Sequence, residues 1–303
     1  MTNSNEIEIA QRLIRCKSIA PNANNALKIV EKECKKIGFK CTKLKFSEKG
    51  YDTISNVYAE IGHGKPHFSF AGHVDVVPAN KNEWLVDPFK GIIKNNYLWG
   101  RGAVDMKSAV ACFISASKNY LEENKNFKGK ISLLITGDEE QYAKNGTIKV
   151  LKWLKKKRIK INNCLVGEPT NLNVLGDQIK IGRRGGYNGV VTVYGKEGHS
   201  AWPNRTKNPV SALIKMMTSI DKKTLDKGTK HFQPSIISIT SIDVGNEALN
   251  VIPAKATGCF NIRFNPKHTT KSLTNWIKKE FNKIGFKYKL DLYVSGNAFL
   301  TKP

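Results

Sequence analysis

From Asn25 the apolar positions Ala26, Ile29, Val30, Cys34 and Ile37 recur at helical spacing and stop at Gly38, a residue suited to a helix C-terminus. Three short apolar runs follow, HFSFAG, ISLLITG and NCLVG, each short enough to be a buried strand. Between the first two, Val110, Phe113, Ile114 and Leu121 form one helical face; between the last two, Ile148, Val150, Leu151 and Leu154 suggest another. Alternation of this kind predicts an α/β sheet with parallel strands. The second half has a different order. GVVTVYG reads as a strand, NPVSALIKMMTSI as a helix, PSIISITSIDV and AKATGCFNIRF as strands, TKSLTNWIKKEFNKIG as a helix and FKYKLDLYV as a last strand. That succession, βαββαβ, is a ferredoxin-like unit. The change falls at IGRRGG, whose glycines suit a boundary near 180–186, so residues 1–182 and 183–295 are expected to form two domains.

Composition narrows the class. With 303 residues, 40% of them hydrophobic and 25% charged, the chain can bury a core and is not disordered. No apolar run approaches the ~20 residues of a membrane span. The N-terminus, MTNSNEIEIAQRL, is polar and acidic where an export signal is basic and then apolar, so a cytoplasmic location is expected. The formal charge of +25 comes from 50 basic residues, of which only eight are Arg. The lysines are scattered, with one dense run at Lys155, Lys156, Lys157 and Arg158, and read as solvated faces; a nucleic-acid surface would cluster its cations and favour arginine forks. Six cysteines lie far apart with no CxxC pair, which removes a zinc knuckle or redox motif, and residues such as Cys112 in AVACFI read as buried thiols.

Each apolar strand of the first half runs into metal-ligating residue types. HFSFAG leads to His73 and Asp75, ISLLITG to Asp138, Glu139 and Glu140, and NCLVG to Glu168, while the glycine-rich GRGAVDMK carries Asp105. Ligand sites of open α/β sheets form at the carboxyl ends of strands, so these four segments are expected to share one crevice. One imidazole among several carboxylates suits zinc or a similar divalent ion, and the excess of carboxylates favours two ions sharing a bridging ligand. Asp75, two residues beyond His73, is placed to orient the imidazole. His63 and His67, flanking a GKP turn, and His231 and His268 are read as surface or loop histidines.

GHVDVVP, LWGRGAVDMK, ITGDEE and VGEPT, in this order, resemble the metal-binding motifs of the dizinc deacylase family that includes acetylornithine deacetylase, carboxypeptidase G and succinyl-diaminopimelate desuccinylase. IKIGRRGG, GHSAWPNRTKNPV, TSIDVGNEALNVIPA, FNIRFN and SGNAFLTKP resemble the desuccinylase branch. The resemblance covers nearly the whole chain. It implies a zinc-hydrolase domain with a mixed, mainly parallel sheet and an inserted ferredoxin-like lid and dimerisation domain, residues 296–303 beginning the return to the first domain. It implies two Zn2+, replaceable by Co2+. His73 and Glu168 would hold one ion, Asp105 would bridge, Glu140 would hold the second and Glu139 would be the general base, with a cis peptide at Asp105–Met106. His199, Arg183, Arg184, Asn250 and Arg263 match substrate-binding or hinge positions of the family.

The implied activity is hydrolysis of N-succinyl-L,L-2,6-diaminopimelate, a small anionic substrate, by a cytoplasmic homodimer with no nucleic-acid or membrane partner. Three differences stand against the family pattern. Gln141 and Tyr142 occupy positions that are small in the family, and Trp202 stands where the branch has Tyr. The family chain also continues several dozen residues past the point reached by residue 303, a stretch that carries a further histidine ligand, so the second metal site is expected to be incomplete. An acetylornithine-type amidase, a truncated inactive family member and a basic nucleic-acid-binding protein remain as alternatives.

Overall fold

The computed structural model describes residues 5–222 and 224–301, so Lys302 and Pro303 of the expected return segment lie outside the described residues. The chain divides into two compact units, Met1–Thr170 and Asn171–Pro303, which puts IGRRGG inside the second.

In the first unit the elements run α1 (Asn5–Arg15), α2 (Asn24–Lys36), β1 (Lys40–Glu48), β2 (Tyr51–His63), β3 (His67–His73), α3 (Ser108–Glu123), β4 (Gly129–Thr136), α4 (Thr147–Lys156) and β5 (Asn163–Val166). The sheet order is β1-β2-β4-β3-β5. Strand β3 pairs in parallel with β4 and β5, whereas the hairpin β1–β2 adds two antiparallel strands beside β4. Alternation along β4 decides the layers: Leu133 and Ile135 pack towards the helices α1 to α3, and Leu134 packs with Val150 and Leu154 of α4 on the other face. Of the helical face read for α4, only Val150 and Leu154 turn inward; Ile148 and Leu151 stay exposed. Cys112 is likewise exposed, because α3 buries Val110, Ala111 and Ile114 and turns Cys112 outward.

His67 corrects the surface reading of the histidines. It is 3% exposed, at the start of β3, with Nδ1 at 2.9 Å from the Lys160 carbonyl and Nε2 at 2.8 Å from Ser132 Oγ. Burial pushes its pKa down, with the Lys160 carbonyl opposing. Both partners lie far along the chain, so no local pattern announces them.

The second unit contains β6 (Gly185–Tyr194), α5 (Pro209–Ile220), β7 (Ile236–Asp243), β8 (Lys255–Phe264), α6 (Thr270–Asn282) and β9 (Tyr288–Gly296). Its antiparallel sheet has the order β7-β8-β6-β9, the ferredoxin-like arrangement expected of βαββαβ. Asn208 caps α5 by accepting from the Val210 and Ser211 amides, and a capping box of Thr269 and Ser272 starts α6. Alternate residues of the strands, among them Val191, Phe260 and Ile262, meet Leu213 and Met216 of α5 and Ile277 and Phe281 of α6 in one core.

Asp226 organises the loop between α5 and β7. Its carboxylate accepts from the Gly228 and Ser235 amides and the Asn265 side chain, and lies 3.1 Å from His268 Nε2. Burial opposes its ionisation, but these donors, led by Ser235, outweigh it and hold the pKa well below the usual carboxylate range. A depressed carboxyl stabilises the fold above its unfolded pKa of about 3.9 and loses that contribution as pH falls towards the folded value. Asp226→Asn is therefore expected to lower Tm at pH 7, with the gap to the parent protein narrowing between pH 5 and pH 2 on the scale of that titration. Calorimetry across that range checks it; a gap independent of pH would refute the assignment.

Candidate active site

Parallel pairing of β3 with its two neighbours brings three strand ends side by side. His73 is in register with Thr136 of β4, and Ala71 with Val166 of β5, so the residues that follow each strand emerge at one edge. His73 closes β3, Asp138, Glu139 and Glu140 follow β4, and Glu168 follows β5. The fourth segment arrives from the turn at 103–107. Gly102 at φ +81°, a conformation that favours glycine, starts the turn; Asp105 is extended and the Asp105–Met106 peptide is cis. Met106 is fully buried against Gly72 and Gly167, where any side chain would run into its thioether, and this close approach seats the turn across the ends of β3 and β5.

Five of the expected residues converge. His73, 1% exposed, has Nε2 at 3.0 Å from Asp105 Oδ1, 3.7 Å from Glu168 Oε1 and 4.0 Å from Glu139 Oε2. Two donor sets form, His73 with Asp105 and Glu168, and His73 with Glu139 and Glu140, the ligand atoms of each lying within 4.8 Å of one another. Donors that bind one zinc ion at ~2.0–2.2 Å cannot lie more than about 4.4 Å apart, and the His73 separations fall inside that limit. The donor set therefore fits a divalent cation.

Asp75 is wholly buried behind these donors. Its Oδ2 accepts from the Glu139 and Glu140 amides at 3.0 and 2.9 Å, fixing the backbone of both glutamates. The imidazole is held by the Asp75 backbone carbonyl, 3.0 Å from Nδ1, while the carboxylate Oδ1 stands at 3.6 Å. With Nδ1 so engaged, Nε2 is the nitrogen left for a metal.

Electrostatics point the same way. Burial, then the charges of Asp105 and Glu139, raise the carboxyl pKa of Glu140, with His73 opposing. Glu168 is raised by burial and by the same two carboxylates, again against His73. Burial works against the charged form of His73 itself, yet Asp75 and Glu139 outweigh it and bring the value to about 9. Like charges crowded around one imidazole are relieved by a bound cation, which displaces the proton.

Lys107 escaped the sequence reading. It directly follows the Asp105 motif and is fully buried, donating from Nζ to the Cys16 carbonyl at 3.0 Å. Burial pushes its pKa down to about 8, against the pull of Cys16 and Asp75. The only available signal was a lysine inside an otherwise small and apolar motif.

Of the second-unit residues, His199 and Asn250 are brought together on adjoining short strands, His199 pairing with Val251, with the Asn250 amide 3.5 Å from His199 Nε2. Arg183 pairs through its backbone with Phe299. Arg263 lies on β8 opposite Gly186 of β6, and Arg184 is half-buried before β6; neither meets the His199 pair through any printed bond among the described residues.

The family profile described as Peptidase family M20/M25/M40 matches residues 69–302. Succinyl-diaminopimelate desuccinylase of Pelagibacter ubique is 51% identical over all of this chain and 80% of its own length. The enzyme of that name from Parvibaculum lavamentivorans is 48% identical over 98% of this chain and 76% of its own. Among solved structures, aminopeptidase PepT from Bacillus cereus superposes with a TM-score of 0.74 at 15% identity, covering 99% of this chain and 78% of its own. The M20 family metallo-carboxypeptidase Sso-CP2 from Sulfolobus solfataricus gives 0.69 at 19% identity, over 97% and 78%. The two structures share the fold.

Proposed function

Because this chain belongs to peptidase family M20/M25/M40, we propose that it is a metal-dependent amide hydrolase that cleaves N-succinyl-L,L-2,6-diaminopimelate to succinate and L,L-diaminopimelate. The observation that carries the reaction class is the convergence of His73 with four carboxylates at the ends of three parallel strands. The choice of substrate draws on whole-chain similarity to proteins of that activity.

In this reading His73 and Glu168 hold one divalent ion, Glu140 holds a second and Asp105 bridges them, zinc being the proposed metal and cobalt a substitute. Such a pair supplies Lewis-acid charge beside the scissile carbonyl. Glu139, half-exposed at the site with its amide fixed by Asp75, takes a proton from the attacking water and returns it to the departing amine nitrogen. Water's oxygen ends in succinate and the amine leaves protonated, so atoms and charge balance. Asp75 holds His73 and the two glutamate amides in place. His199, Asn250, Arg183, Arg184 and Arg263 are carried over as substrate-binding residues, the cations suited to the substrate's carboxylates. A homodimer formed through the second unit and a cytoplasmic location belong to the same proposal; no helix among the described residues is long and apolar enough to cross a membrane.

A direct competition assay tests the substrate. The succinyl group ends in a carboxylate that an acetyl group lacks, and one charge-assisted hydrogen bond is worth about 1.5–3 kcal/mol, or roughly 10- to 100-fold. The kcat/KM for succinyl-diaminopimelate is expected to exceed that for N-acetylornithine by at least that margin. Equal or reversed preference would move the chain to the acetylornithine-type alternative.

A further inference from the structure

We propose that Asn145 is a positioning residue for the glutamate pair, tying the loop that bears Glu139 and Glu140 to the far end of the β1–β2 hairpin. The inference rests on the roles given above to those two glutamates. Between the end of β4 and the start of α4, residues 137–146 form no helix or strand, so bonds to side chains set the shape of the loop. In front, Asp75 takes the Glu139 and Glu140 amides. Behind, the buried Asp138 carboxylate accepts from the Ala143 amide at 3.1 Å and the Asn145 amide at 2.8 Å, folding the loop back on itself through Ala143 at φ +51°.

Asn145 joins this closed loop to the sheet. It is fully buried; its Nδ2 donates to the Asp52 carbonyl at 2.8 Å, and its own carbonyl accepts from Asn56 Nδ2 at 3.1 Å. Asp52 and Asn56 both belong to the first half of β2. Outside the buried pair the same two segments meet again, Tyr142 standing edge-on to Tyr51 at 5.3 Å and Lys149 pairing with Glu48 at 2.7 Å. The hairpin donates nothing to the metal site directly. Its grip reaches the glutamates only through this loop.

A helix-capping role for Asn145 does not account for the contacts. Gly146 is the N-cap of α4, which has no side-chain cap, and the Asn145 amide is spent on β2 instead. Nor is stability an adequate explanation. Among the described residues, neither Asn56 Oδ1 nor Asn145 Oδ1 accepts a hydrogen bond, and burying an unpaired carboxamide oxygen is unfavourable. What the two carboxamides supply is a fixed separation between β2 and the loop, and sites that bind metal and move protons depend on such fixed placement.

The test compares the full chain with Asn145→Ala and with Tyr51→Ala, the latter at a partly exposed ring that the fold tolerates losing. Cobalt titration followed by visible absorption reads the ligand field at Glu140, hydrogen exchange reads residues 137–146, and steady-state kinetics separates kcat from KM. Asn145→Ala is expected to weaken the less tightly held cobalt ion about 10-fold, alter its absorption bands and lower kcat about 10-fold with KM within about 2-fold, since small misplacements cost rate rather than binding. Exchange should rise in 137–146 and not in α3. Tyr51→Ala should shift the same readouts in the same direction by about 3-fold. An unchanged cobalt spectrum and kcat in Asn145→Ala overturns the proposal; if that variant unfolds throughout, an unchanged spectrum in Tyr51→Ala overturns it. Full turnover in Glu139→Gln would instead defeat the mechanism above, and the cobalt spectrum would still decide the role of Asn145.

Discussion

Glu139→Gln is expected to keep its bound metal and lose turnover by about 10²-fold or more. Glutamine has the shape of glutamate and can occupy the same space 4.0 Å from His73 Nε2, while the Glu139 amide keeps its bond to Asp75. Only the proton acceptor is removed. Because general-base transfer is made in the transition state, the loss should fall on kcat and kcat/KM together, with little change in KM. Elemental analysis of the purified variant and its steady-state kinetics check both halves of the expectation. Near-normal turnover would take Glu139 out of the base role; loss of metal would make it a ligand, a possibility raised by its place in the second donor set with His73 and Glu140.

Asp105→Ala should have the larger effect and a different signature. Asp105 is the carboxylate nearest His73 Nε2, at 3.0 Å, and its charge is felt at both Glu140 and Glu168. A carboxylate that reaches both of the other ligands is the one suited to bridge two ions, and its removal leaves each ion one ligand short. We expect most of the bound metal to be lost, with kcat down about 10³-fold or more, the equivalent of roughly 4 kcal/mol of transition-state charge stabilisation. Elemental analysis at a fixed free-metal concentration, alongside turnover, provides the measurement. A variant that retains two ions and turns over would show that Asp105 does not bridge.

The parts of this molecule that were legible in its sequence are those governed by local pattern. The runs ending at His73, Thr136 and Val166 are strands because they are short, apolar and bounded by glycine or polar residues, and the rule that sites gather at carboxyl ends then placed the ligands. The succession βαββαβ in the second half was equally plain, since each element carries its own period. What escaped depends on partners distant in sequence. His67 finds the Lys160 carbonyl 93 residues away and Ser132 65 away, so a histidine beside a Gly-Lys-Pro turn gave no sign of being buried. The hairpin β1–β2 went unread because its polar outer positions mask the alternation of Leu44, Ile54 and Tyr58. Asn145 could not have been singled out at all: its role lies in a bond to a backbone carbonyl 93 positions earlier.

The parallel register of β3 imposes a constraint on how this protein can change. Along that strand His67, Ser69 and His73 share one face while Phe68 and Phe70 point to the other, with Phe70 in the core beneath α3. Deleting one residue within the strand would exchange the faces, setting phenylalanines among the polar partners of His67 and putting Gly72 where His73 meets its carboxylates. Substitution can therefore be graded here, but insertion and deletion are all-or-none. Tolerated changes in length are confined to segments outside the run from His67 to His73, such as the Asp177 loop of the second unit, whose Leu172, Asn173 and Val174 amides all fold onto a single carboxylate.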